Sequence, residues 1–137
     1  MTTDTVTLTR EQLAALPDSY FKAVDAMDVD AILSHFANDA TLTVQTDHAV
    51  FVGADEIRRM FTDFCGASVS IVHEILNIVV EPEAGKVATE QSYIGELKDG
   101  TKNDMHNCNF FDLDADGKFT RVIIWMAGTN PLGRVTA

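Results

Sequence analysis

Basic residues are scarce in this chain. Ten lysines and arginines stand against 21 aspartates and glutamates, for a formal charge of −11 over 137 residues. The nearest thing to a basic cluster is Arg58-Arg59. A phosphate backbone or an anionic bilayer surface needs clustered Lys and Arg, so neither nucleic acid nor membrane is an expected partner. Long hydrophobic runs are missing too, and none approaches the roughly 20 residues of a membrane-crossing helix. Met1 to Leu8 is Thr-rich and lacks the apolar core of a signal peptide; the expected location is cytoplasmic. Cysteine is limited to Cys65 and Cys108, with no CxxC spacing, which reads as a pair of free thiols. There is no GxSxG, P-loop or GxGxxG. His35, His48, His73 and His106 show no metal-ligand spacing. No cofactor and no metal are implied. No repeat, low-complexity stretch or linker interrupts the chain, so residues 1–137 read as a single domain with an ordered core of about 9–130.

What is present is a helical start and a stranded remainder. Thr9 and Gln12 have the spacing of a capping box. Pro17 is expected to break or restart the helix that follows. From Asp18 to Met27, the apolar residues Tyr20, Phe21, Val24 and Met27 share one helical face. Asp28 is placed to cap a second helix from Val29 to Phe36. Ala40 to Gln45 and Ala49 to Val52 read as short strands, and Ala54 to Phe64 as an amphipathic helix. Four longer strands follow: Ser68 to Glu81, Lys86 to Leu97, Thr101 to Leu113 and Lys118 to Gly128. Asp99-Gly100 and Asp116-Gly117 mark hairpins. Asp112 to Gly117 also matches the first half of an EF-hand loop. Its twelfth position is Ile123, where a bidentate Glu is needed, so a turn is the better reading.

Helices first and antiparallel strands afterwards give an α+β class. The period of two places Val69, Ile71, His73, Ile75 and Asn77 on one face of their strand, Val87, Thr89, Gln91 and Tyr93 on the next, and Met105, Asn107, Asn109, Phe111 and Leu113 on the third. Together these faces describe a mostly apolar pocket with a few amides and hydroxyls, the usual composition of a small-molecule site. The opposite face carries Ile94, Cys108 and Phe110, with Trp125 a candidate for the same face, and is too apolar for full solvation. A homodimer or homotrimer is expected from it.

Three stretches carry a resemblance: Tyr20-Phe21-Lys22-Ala23-Val24-Asp25-Ala26-Met27-Asp28-Val29-Asp30, Phe36-Ala37-Asn38-Asp39-Ala40-Thr41, and Phe51-Val52-Gly53-Ala54-Asp55-Glu56-Ile57. With the Asp116-Gly117-Lys118 hairpin, the chain from about Leu16 to Gly128 resembles the nuclear transport factor 2-like, or SnoaL-like, superfamily. The resemblance implies a cone-shaped α+β barrel, with N-terminal helices packed on a strongly curved, mostly antiparallel sheet. It also implies site residues. In the ketosteroid isomerases the base falls near Val44 and the acidic donor near Asn109. In the scytalone dehydratase and bile-acid dehydratase branch, an Asp at the end of the first helix and a His on the third strand fall on Asp25 and His73. The bile-acid enzyme's Tyr falls on Tyr20, and a substrate-contacting Asn on Asn107 or Asn109. That branch is the closer pattern. It implies a cofactor-independent lyase or isomerase acting on a small apolar or ring-containing metabolite, with a SnoaL-like cyclase or a non-catalytic binding module as alternatives.

The chemistry is coherent. A neutral imidazole can remove a proton near neutral pH. A carboxylate on its other ring nitrogen fixes the tautomer and stabilises the imidazolium. The resemblance thus implies a catalytic set of Asp25, His73 and Tyr20, and the expected substrate wall is Asn107, Asn109, Tyr93, Phe111, Val44 and Ile71.

Overall fold

A computed structural model describes residues 8–128 and 130–132. Met1 to Thr7, part of the segment assessed as a signal peptide, lies outside the described residues. The first helix, α1 (Arg10–Asp25), starts on the expected capping box. The Gln12 amide N–H donates to Thr9 Oγ1 at 3.1 Å, and the Thr9 N–H donates to Gln12 Oε1 at 2.8 Å. Pro17 does not break it. It lies inside a continuous helix, on the same buried face as Leu13, Tyr20, Phe21 and Val24. An interior proline costs about 3 kcal/mol, and packing of that face overrides the cost.

The second helix, α2 (Val29–Leu33), begins on the expected cap, with the Ala31 N–H donating to Asp28 Oδ1. It stops three residues earlier than the apolar spacing suggests. Phe36 belongs instead to strand β1 (Phe36–Val44), which starts four residues before the predicted strand. Phe36 pairs in parallel with Phe119, and the bulge between Phe36 and Thr41 absorbs the irregular start. A single 3₁₀ turn leads to β2 (Ala49–Val52), and α3 (Gly53–Ala67) follows. The remaining strands are β3 (Ser68–Glu81), β4 (Lys86–Leu97), β5 (Lys102–Leu113) and β6 (Phe119–Trp125).

The strands form one six-stranded sheet in the order β2-β1-β6-β5-β4-β3. Only the β1–β6 contact is parallel, so the sheet is mostly antiparallel, as expected. The helices cover its inner face. Tyr20 sits in an aromatic cluster there, with Phe21, Phe36, Phe61, Phe111 and Phe119 at centroid distances of 5.1 to 6.2 Å. Tilted and edge-on pairs of this kind add about 0.5–1.5 kcal/mol each beyond their burial.

The expected alternation holds throughout β4 and β5 but not along β3. Ile71, His73 and Ile75 face inward, whereas Val69 and Asn77 are exposed. Register shifts between Ser68 and Ser70 and between Ile75 and Asn77 explain this. Each shift moves the following residues to the other face. On the outer face, Ile94, Phe110 and Trp125 are each about half exposed (53%, 49% and 50%). Val72, Leu76 and Val79 join them on β3.

Candidate active site

The site is built where the end of α1 meets the middle of β3. Helix α1 ends at Asp25 because Met27 takes a left-handed conformation (φ 56°) and turns the chain toward α2. A carboxylate at a helix C-terminus faces the negative end of the helix dipole. Here two N–H groups from β3 offset that: the His73 backbone N–H donates to Asp25 Oδ2 at 2.9 Å, and His73 Nδ1 lies 2.6 Å from Asp25 Oδ1. A carboxylate only accepts, so Nδ1 carries a proton, and Nε2 is the ring nitrogen left to face the cavity. No hydrogen bond occupies Nε2 among the described residues. The ring is held between two aromatics, Phe21 at 4.7 Å and Tyr93 at 5.3 Å, both stacked at 28°. Only 12% of the His73 side chain is exposed, and 26% of Asp25.

His73 opens on a small, partly open cavity. Phe21, Val24, Phe61, Phe64 and Ile124 supply its apolar walls, and Gln91, Asn107 and Asn109 a polar one. Pro131 and Leu132 line it from the C-terminal side. The polar wall is ordered. Thr89 Oγ1 donates to Gln91 Oε1 at 2.6 Å, and Gln91 Nε2 donates to Asn109 Oδ1 at 2.9 Å. The Ala127 N–H donates to Asn107 Oδ1 at 3.0 Å.

Tyr20, His73, Tyr93, Asn107 and Asn109, all named from the sequence, line this one cavity. Val44, Ile71 and Phe111 do not. Each is buried core, at 0%, 3% and 0% exposure, and contributes to packing rather than to the wall. For Val44 the reason is its place on β1, paired with Ala49 and Ile124; Ile124 is the residue that reaches the cavity. Gln91 is the informative omission. Its inward alternation on β4 was legible, but its hydrogen bond to Asn109 on the next strand was not.

Burial, with a smaller contribution from nearby Cys65, holds the Tyr20 phenol well above its usual pKa. Its hydroxyl therefore stays protonated and can only act as a neutral hydrogen-bonding group. The Tyr93 phenol is also pushed up by burial, and a neighbouring Asn103 amide partly opposes this. That amide does not reach hydrogen-bonding geometry: Tyr93 Oη and Asn103 Nδ2 are both buried and unpaired. The Tyr93 hydroxyl occupies the space a side chain on residue 95 would fill, since a Cβ built on Gly95 would lie 2.5 Å from it.

A helix-capped curved sheet enclosing a cavity defines a protein of the α+β cone type. The SnoaL-like domain family matches residues 18–122, and the chain belongs to that family. No curated protein matches it. Among solved structures, a candidate aromatic ring hydroxylase from Novosphingobium aromaticivorans is 26% identical, with 90% of this chain and 96% of that one covered and a TM-score of 0.82. PrhC from Penicillium brasilianum is 17% identical, covering 87% and 82%, at a TM-score of 0.78. SalBIII, an epoxide hydrolase/cyclase-like enzyme of pyran ring formation in polyether salinomycin, is 20% identical, covering 85% and 92%, at 0.77. At those identities the last two establish the fold.

Proposed function

We propose that this chain is a cofactor-independent lyase or isomerase of dehydratase type, acting on a small apolar or ring-containing metabolite, with His73 as general base. The observation that carries this reading is the 2.6 Å contact between Asp25 Oδ1 and His73 Nδ1, beside a cavity that Tyr20 also lines. His73 Nε2 would take a proton from carbon next to a carbonyl. The electron pair would move to the carbonyl oxygen, stabilised by amide N–H groups from Asn107 and Asn109. The enolate would then expel a leaving group from the adjacent carbon, with the imidazolium returning its proton to that group, or take the same proton back at another carbon. Asp25 would orient the ring and stabilise the imidazolium, and the apolar walls would strengthen both effects by excluding water.

Family membership supports a second reading, a SnoaL-like polyketide cyclase, which could use the same base. Epoxide hydrolysis fits less well. It would want carboxylates and an arginine inside the cone, and among the described residues neither lines the cavity.

The test is a panel of small ring ketones and β-hydroxyketones in deuterated buffer, with proton NMR reading α-deuteration and loss of water. Exchange above the buffer rate is expected, and it should vanish in His73→Ala and Asp25→Asn while both remain folded. Undiminished exchange in either variant would refute the dyad. No catalysed exchange with any compound would return the chain to a binding module.

A further inference from the structure

Beyond the base lies a question of what the cavity selects, and the buried amides answer it. Thr89, Gln91, Asn107 and Asn109 are 3%, 2%, 4% and 2% exposed. They form two adjacent cross-strand pairs, Thr89 with Asn109 and Gln91 with Asn107. A carboxamide has a donor end and an acceptor end, and what holds it decides which end is left over. The Thr89 hydroxyl donates to Gln91 Oε1, so Gln91 must present its Nε2, and that group donates to Asn109 Oδ1. Asn109 therefore has its oxygen engaged and its Nδ2 unclaimed. Asn107 is held in the same sense, with its oxygen on the Ala127 N–H and its Nδ2 making only a 4.0 Å contact with Met105 Sδ. Both asparagines line the cavity.

We propose that Thr89 and Gln91 are positioning residues, which lock Asn109 with its amide N–H toward the cavity and make the site selective for ligands with a carbonyl or similar acceptor oxygen. The proposal deepens the lyase or isomerase reading by naming the substrate feature that reading requires. Thr89 does not line the cavity and acts only through Gln91. Without its hydroxyl, nothing dictates the direction of the chain. Gln91 and Asn109 could then turn together, and Asn109 would offer an oxygen that repels a carbonyl.

The experiment compares cyclohexanone with methylenecyclohexane, a ligand of nearly the same shape without the oxygen. Each is titrated into ¹⁵N-labelled protein, and dissociation constants come from chemical-shift changes. The wild-type chain should prefer the ketone by up to about tenfold, the usual worth of one or two net hydrogen bonds. Thr89→Val preserves shape but removes the donor, and the preference should fall toward one. Thr89→Ser restores the hydroxyl and should recover it. Gln91→Glu, which can accept from Thr89 but cannot donate to Asn109, serves if the valine variant does not fold, and it too should lose the preference. A purely structural role would change thermal stability and leave the ratio alone. Equal affinities in the wild type, no ketone binding at millimolar concentration, or an unchanged ratio in a folded variant overturns the proposal. The readout is equilibrium binding with no proton transferred, so its failure is distinct from failure of the turnover test.

Discussion

The two faces of the sheet each carry a histidine paired with a carboxylate, and the pairs are chemically alike but physically different. On the inner face, His73 and Asp25 lie 2.6 Å apart; on the outer face, His106 Nε2 and Glu90 Oε2 lie 2.5 Å apart. The inner side chains are 12% and 26% exposed, the outer ones 57% and 41%. The inner carboxylate also holds the histidine's backbone, and two aromatic rings clamp the imidazole. Among the described residues, no other side-chain hydrogen bond supports the outer pair. A close His–carboxylate contact is therefore not a site. Burial, a held ring and an adjoining cavity set the inner pair apart.

The largest effect that could break this comparison is on turnover. His73→Ala should lower the rate of any exchange or elimination found by about a hundredfold or more, the usual contribution of a positioned base. His106→Ala should leave that rate unchanged. Equal losses in the two variants would mean that geometry inside the cavity does not matter.

Stability comes next. Both His73 N–H groups donate to Asp25, and an asparagine there can accept only one of them. Asp25→Asn should cost about 1–3 kcal/mol of unfolding free energy, as expected for one unmet buried group. Glu90→Gln should cost no more than about 1 kcal/mol, because an exposed pair is screened by solvent and salt. Denaturant titration of both variants reads the difference, and similar costs would sink the distinction.

The inner face should also respond to alkali. The folded pKa of Tyr20 is raised above the ordinary 10.0, so its neutral form contributes stability that is fully present below about pH 10 and is lost as pH rises through the folded value. Tyr20→Phe should flatten that alkaline loss in thermal melts from pH 9 to 11. An unchanged slope would place the loss elsewhere.

The smallest effects concern the outer face itself. Its half-exposed Ile94, Phe110 and Trp125 underlie the expected homodimer or homotrimer. Sedimentation should show association that Phe110→Asp weakens, with little change in the monomer's melting temperature. A wild-type monomer at all concentrations would remove that expectation.

Much of this was legible in one dimension. The caps at Thr9 and Asp28 rest on local spacing, and both occur. Alternation along β4 and β5 correctly named the inward asparagines and Tyr93, because a strand without bulges repeats every two residues. It failed on β3, where two register shifts turned Val69 and Asn77 outward. Pro17 misled for a related reason: a local penalty was weighed without the packing that overrides it. Val44, Ile71 and Phe111 face inward as expected, yet inward does not mean cavity-lining. Which inward side chains touch one another and which border empty space depends on the helices laid over them.

The sequence by itself determined the class of fold, the caps that start its first two helices and the presence of one histidine on an inward strand face. These follow from periodicity and capping, which act over a few residues. Only the tertiary structure decided that Asp25 meets both N–H groups of His73 across 48 positions of chain, that Gln91 orders Asn109, and that the cavity lies beside them. Those outcomes depend on sheet curvature and on how α1 docks against β3. Such contacts join segments far apart in sequence, and no local pattern encodes their distance.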